Sequence, residues 1–235
     1  MFSSETDPED FGVLARELRG HVLSMGGLAL RNLELAMGSI SARDASATAE
    51  LYDIHESIED LGMRSAGVAE QLLGRFPCDE GRLGLVLSSL MIGQLLSRIS
   101  NRALEVSSRS RAIVEGAESE GTRLLDPLYS SVYGLVRQAM TSYADSDAAN
   151  AAQLVRNGPV LTAAAREVAT QLRERVGADQ RLAFVNLNLL LISRVLLEIG
   201  TLAGGICEEI LTRGGISDLE GAAGVDPVRG VQVSA

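Results

Sequence analysis

The chain has 235 residues, enough for one large domain or two of roughly 100 residues each. Hydrophobic residues make up 46% and aromatic residues only 3%, with no tryptophan. That excludes global disorder and disfavours β-sandwiches, which lean on β-branched and aromatic side chains. A formal charge of −10 argues against nucleic acid as a partner, even though Arg98, Arg102, Arg109 and Arg111 gather locally.

Residues 1–9 read as an acidic, mobile leader without the basic and apolar parts of a secretory signal, which leaves a cytoplasmic location by default. Phe11, Leu14, Leu18, Val22, Met25, Ala29, Leu33, Ala36 and Ile40 then recur at three- and four-residue spacing and predict a long amphipathic helix. Residues 41–44 break it, with Asp44 as the cap of the next helix. That second helix runs to Gly74 on a seam of Leu51, Ile54, Ile58, Leu61, Ser65, Val68 and Leu72, and Pro77 ends it.

The third helix is predicted from Asp79 or Glu80 to Glu118. Its stretch 95–108 has two faces. Leu95, Leu96, Ile99, Ala103 and Val106 form an apolar stripe, while Gln94, Ser97, Asn101, Glu105 and Ser108 form a polar row. The polar run 118–122 reads as a hinge between halves, and Asp126 followed by Pro127 reads as an N-cap with proline at the first helical position. The fourth helix extends to Tyr143. Asp145, Ser146 and Asp147 repeat the earlier break, and the fifth helix spans 147–176 with an interruption at Gly158 and Pro159. Gly177, Ala178 and Asp179 cap a sixth helix reaching Thr212, and the Gly-rich residues 214–235 form a flexible tail.

Residues 182–206 approach transmembrane length, but Asn186, Asn188, Arg194 and Glu198 interrupt them, so they read as a central bundle helix. Cys78 and Cys207 lack metal or redox spacing, and His21 reads as structural. Residues 196–209 repeat 95–108 weakly: Ile199 answers Ile99, and Ala203 answers Ala103. Short connections force neighbouring helices to run antiparallel. The expected fold is therefore all-α: two tandem antiparallel three-helix bundles of six long helices, over residues 10–118 and 123–213.

Three segments, MGGLALRNLELAM (25–37), ARDASATAELYDIHESIEDL (42–61) and LLSRISNRALEVSSRSR (95–111), resemble the PhoU family. The last is similar to the family's L-E-R-I-G-D-x-A-x-N-I-A-E signature and keeps Leu96, Arg98, Ile99 and Ala103; LLEIGTLAGGICEE (196–209) is a weaker copy. The resemblance spans about residues 11–212. It implies two repeated three-helix bundles and a non-catalytic cytoplasmic regulator of phosphate transport and phosphate-starvation signalling. Such a protein would bind a phosphate ABC transporter, a sensor histidine kinase or both, and no nucleic acid. It would meet the membrane peripherally through its partner and form a homodimer.

Family members often hold metal ions through an acidic pair on the second helix and the Glu, Asp and Asn of the signature. Hard cations and iron favour such oxygen ligands. Here the acidic pair maps to His55 and Glu59, and the signature positions to Ser97, Asn101 and Glu105. In the second half the pair maps to Asn157 and Leu161, and the signature to Leu197, Thr201 and Gly205, which dismantles that site. The first half keeps His55, Glu59, Asn101 and Glu105, a mixed N/O set for one divalent or iron ion; the alternative for these residues is a solvated helix surface. No cofactor is otherwise implied. Nothing in the sequence resembles a nucleophile elbow or a phosphate-cradling Gly loop. A phosphotransfer role for His55 is disfavoured because Glu56 and Glu59 would repel a phosphoryl group. The competing reading is a metal-binding helical accessory or scaffold protein of another transporter.

Overall fold

A computed structural model of the chain describes residues 8–42, 47–77, 79–114, 119–178 and 182–212. The three- and four-residue spacing of apolar side chains becomes helix throughout, and no strand occurs among the described residues. The helices are α1 (Pro8–Ala42), α2 (Ala47–Arg75), α3 (Glu80–Val114), α4 (Ser119–Arg123), α5 (Asp126–Asp145), α6 (Ala148–Arg156), α7 (Gly158–Ala178) and α8 (Ala183–Thr212). α1, α2 and α3 form one antiparallel bundle; α5, the broken arm α6–α7, and α8 form the second.

Several boundaries differ from expectation for local reasons. α1 begins at Pro8, so the last two residues of the expected leader are helical. Proline suits a first helical turn because its missing N–H would be unpaired there anyway. The 119–122 part of the expected hinge lies within α4, and the chain enters α5 already helical: Leu125 has φ −81° and ψ −22°, and its N–H donates to the Thr122 carbonyl at 3.0 Å. Asp126 is therefore the first residue of α5 rather than its cap. At the next break α5 runs two residues past its expected end at Tyr143, through Asp145, and the break itself is Ser146 and Asp147. Ser146 turns left-handed (φ 55°), and the Asp147 carboxylate caps α6 by accepting from the Asn150 N–H at 2.9 Å. At the expected interruption the helix breaks at Asn157, and Pro159 falls in the first turn of α7. Asp44, Cys78, Glu118, Asp179, residues 1–7 and the tail 214–235 lie outside the described residues.

The core runs without interruption from one bundle into the other. α3 and α8 lie side by side and antiparallel, with Leu95 opposite Gly205 and Arg102 opposite Glu198. Leu96, Ile99, Ala103 and Val106 from α3, and Leu196, Ile199, Ala203 and Ile206 from α8, are all fully buried along this seam. Both helices are long and apolar enough to cross a membrane by composition, and in this fold they are the two central ones. Gly205 faces the Leu95 side chain at this seam, and a Cβ there would meet it at 3.4 Å, about ordinary van der Waals contact.

A second tie joins α1 to α5. The Arg19 guanidinium donates to the carbonyls of Tyr143 and Ala144 at the negative end of α5, and the buried Tyr143 hydroxyl meets Ser89 Oγ of α3 at 3.0 Å. A small satellite core closes the far end of the first bundle, where Phe76 packs edge-on against Phe11 with ring centroids 5.5 Å apart and Arg82 covers the Phe11 ring.

Candidate functional site

The antiparallel pairing of α2 with α3 brings His55 and Glu59 beside the polar row of 95–108. His55 Nδ1 lies 3.0 Å from Ser100 Oγ, and the Ser97 hydroxyl donates to Glu59 Oε1. Behind them Asn32 of α1 donates from Nδ2 to Ser100 Oγ at 2.7 Å and to the Leu51 carbonyl at 3.3 Å. Asn32 and Ser100 are fully buried, and Asn32 Oδ1 has no hydrogen-bond partner. Asn32, Ser100 and His55 thus form a polar triad that begins in the core and ends at the partly open His55. Buried polar groups are costly unless bonded, so such a triad holds three helices in one relative register.

The second bundle is apolar at the matching place. One hundred positions on, Asn32 becomes Val132 and Ser100 becomes Gly200, and the Leu161 side chain lies directly over Gly200. Leu161 is the residue to which the second acidic-pair position maps. Where a ligand was expected to be lost, an apolar side chain instead fills space that the missing side chain of Gly200 leaves open.

Glu105 does not join His55 and Glu59. Its carboxylate is held on its own helix by Arg102 Nη1 at 2.5 Å and by Arg109 Nη2 at 2.7 Å. Arg102 continues to Glu198 of α8 at 3.6 Å, and Glu198 to Arg194, so a ladder of charges crosses from one bundle to the other. Burial alone would raise the Glu105 pKa, but hydrogen bonds and charge from Arg109 and Arg102 hold it below the ordinary carboxylate value.

These partners decide the fit to a metal ion. Among the described residues no three His, Cys, Asp or Glu side chains converge as a metal-holding group. Glu105 is ion-paired with two arginines, Glu59 accepts from Ser97 through one oxygen, His55 Nδ1 faces Ser100, and Asn101 is exposed on α3. His55, Glu59, Asn101 and Glu105 therefore do not make one ligand set in this arrangement.

The lowered pKa of Glu105 carries a pH dependence. A carboxylate whose folded pKa is depressed contributes stability that is present above its unfolded value, about 4.3, and is lost as pH falls through the folded value. The stability advantage of the wild type over Glu105→Gln is accordingly expected to be full at neutral pH and to fade as the medium is acidified below about pH 4.3. Paired thermal melts across that range would show it; an advantage independent of pH would contradict it.

A groove of about 490 Å³ lies on the second bundle between α5 and the α6–α7 break, lined by Ser130, Gly134, Gln138, Leu154, Asn157 and Leu161 among others. No charged side chain lines it, so it offers no carboxylate to a cation. Sequence reading missed Asn32 and Ser100. A signal existed for Asn32, which sits three residues after Ala29 and four before Ala36, in the middle of an apolar stripe.

No protein-family model matches the chain. Among curated proteins it is 26% identical over 207 residues to a phosphate-specific transport system accessory protein PhoU homolog of Pseudomonas aeruginosa, covering 86% of this chain and 84% of the relative. A protein of the same description from Pseudomonas putida is 25% identical over 169 residues, covering 72% of this chain and 65% of the relative. Among solved structures, PhoU from Pseudomonas aeruginosa superposes with a TM-score of 0.82 at 23% identity, covering 86% of this chain and 98% of that one. The phosphate transport system regulatory protein PhoU from Streptococcus pneumoniae superposes at 0.77 with 16% identity, covering 92% and 100%.

Proposed function

The chain is PhoU-like in both sequence and fold, and from that premise we propose that it is a non-catalytic accessory protein of a phosphate transport system. The observation that carries this reading is its extent: 86% of the chain aligns with a curated relative of that description, and the same share superposes on a PhoU structure. The reading has the chain in the cytoplasm, against a phosphate ABC transporter, a sensor histidine kinase or both, as a homodimer that restrains uptake and the starvation response when phosphate is plentiful.

A protein of this kind acts by binding two states of a partner with different affinity, since only differential binding shifts an equilibrium. Long rigid helices suit that role because they present extended faces at fixed spacing. The reading needs no bound metal, in keeping with the arginine-held Glu105 and the Leu161 seated on Gly200. Loss of the gene for this chain is expected to raise phosphate uptake or starvation-response expression in phosphate-rich medium, with restoration by the intact gene. Uptake and expression that stay at wild-type levels in the deletion strain would overturn the proposal.

A further inference from the structure

α2 packs against α1 and α3, and the second bundle joins the first mainly through α3 and α1, so one long side of α2 faces outward. Along it Tyr52, Glu56, Glu59, Met63, Ala66 and Glu70 follow at helical spacing, and every one is exposed. Tyr52 and Met63 are 56% and 68% exposed, large apolar side chains about 16 Å apart along the axis. Most carboxylates around them have no ion-pair partner among the described residues. Asp53, Glu56 and Glu70 make no ion pair among the described residues, and Glu59 accepts only from the Ser97 hydroxyl. Elsewhere on the same helix Glu50 is paired with Arg31 and Asp60 with Arg64.

We propose that this outward side of α2 is a docking surface for a basic amphipathic helix of a partner protein. Two separated apolar knobs with small residues, Ala66 and Gly67, beside the second match the apolar stripe of an incoming helix. The four carboxylates match lysines and arginines flanking that stripe, and the same charge repels anionic lipid and nucleic acid. The assignment rests on α2 alone and holds whatever transport system the chain serves.

The test uses the full chain and a synthetic amphipathic helix of leucine and lysine, with binding followed by fluorescence anisotropy. The wild type should bind it, and more weakly as salt is raised. Asp53→Asn with Glu56→Gln should weaken binding about tenfold, since each exposed pair is worth up to about 1 kcal/mol. Tyr52→Ser with Met63→Ser should weaken it about as much while leaving the helical circular dichroism unchanged, because both side chains are already in water. Glu167→Gln with Glu174→Gln on the exposed side of α7 should leave it within about twofold, being remote from the surface. A scrambled peptide of the same composition should bind less tightly. Absence of binding, equal losses in the α7 variant, no loss in either α2 variant, or equal binding of the scrambled peptide would each overturn the proposal.

Discussion

Replacing Tyr143 with alanine is expected to remove about 3–5 kcal/mol of stability, the range for deleting a large buried aromatic side chain. Melting should fall by roughly 6–20 °C in a chain of this size. Tyr143 is fully buried at the end of α5, where its ring fills the junction of α5 with the first bundle and its hydroxyl reaches Ser89 of α3. Its carbonyl, with that of Ala144, takes the Arg19 guanidinium, so side chain and backbone tie the bundles together at one point. Tyr143→Phe keeps the ring and loses only the hydroxyl contact, which costs about 1 kcal/mol. Thermal melts of both variants would separate packing from hydrogen bonding. Equal losses would mean that the hydroxyl, rather than the ring, carries the junction.

The second large effect concerns the seam of α3 and α8. Ile99→Ala and Ile199→Ala are each expected to destabilise by about 2–5 kcal/mol, because both side chains are fully buried and neither site can collapse easily between two long helices. Both substitutions should shift one common unfolding transition, since Ile99 and Ile199 belong to one continuous core. Calorimetry decides: if each variant moved only one of two separate transitions, the bundles would be unfolding independently.

The fold was legible because helical spacing is a local property. The stripe Leu95, Leu96, Ile99, Ala103 and Val106 names its own buried face, and the structure buries the last four completely and Leu95 in part. The site was less legible because it depends on how neighbouring helices align. Asn32 and Ser100 are 68 residues apart, and only the register of α1 against α3 brings them together. Glu105 was misplaced for a different reason. Its partners Arg102 and Arg109 stand three before and four after it, an ion-pair spacing readable from the chain, yet the resemblance drew attention to its role as a ligand. Asp126 shows the same limit at a helix end: capping depends on the residues before it being extended, and here α4 delivers them already coiled.

The break at Asn157 makes the two bundles mechanically unlike. α2 is one unbroken rod of 29 residues, whereas the matching arm of the second bundle is a 9-residue and a 21-residue piece joined at Asn157. At that joint the Asn157 N–H is shared between the Gln153 and Leu154 carbonyls, and the Asn157 carbonyl accepts from the Val160 N–H at 3.0 Å. A rod resists bending along its whole length; a jointed arm yields at one place. The second bundle therefore carries a helix end and a new helix start beside the neutral groove, at the place where the first bundle has uninterrupted helix.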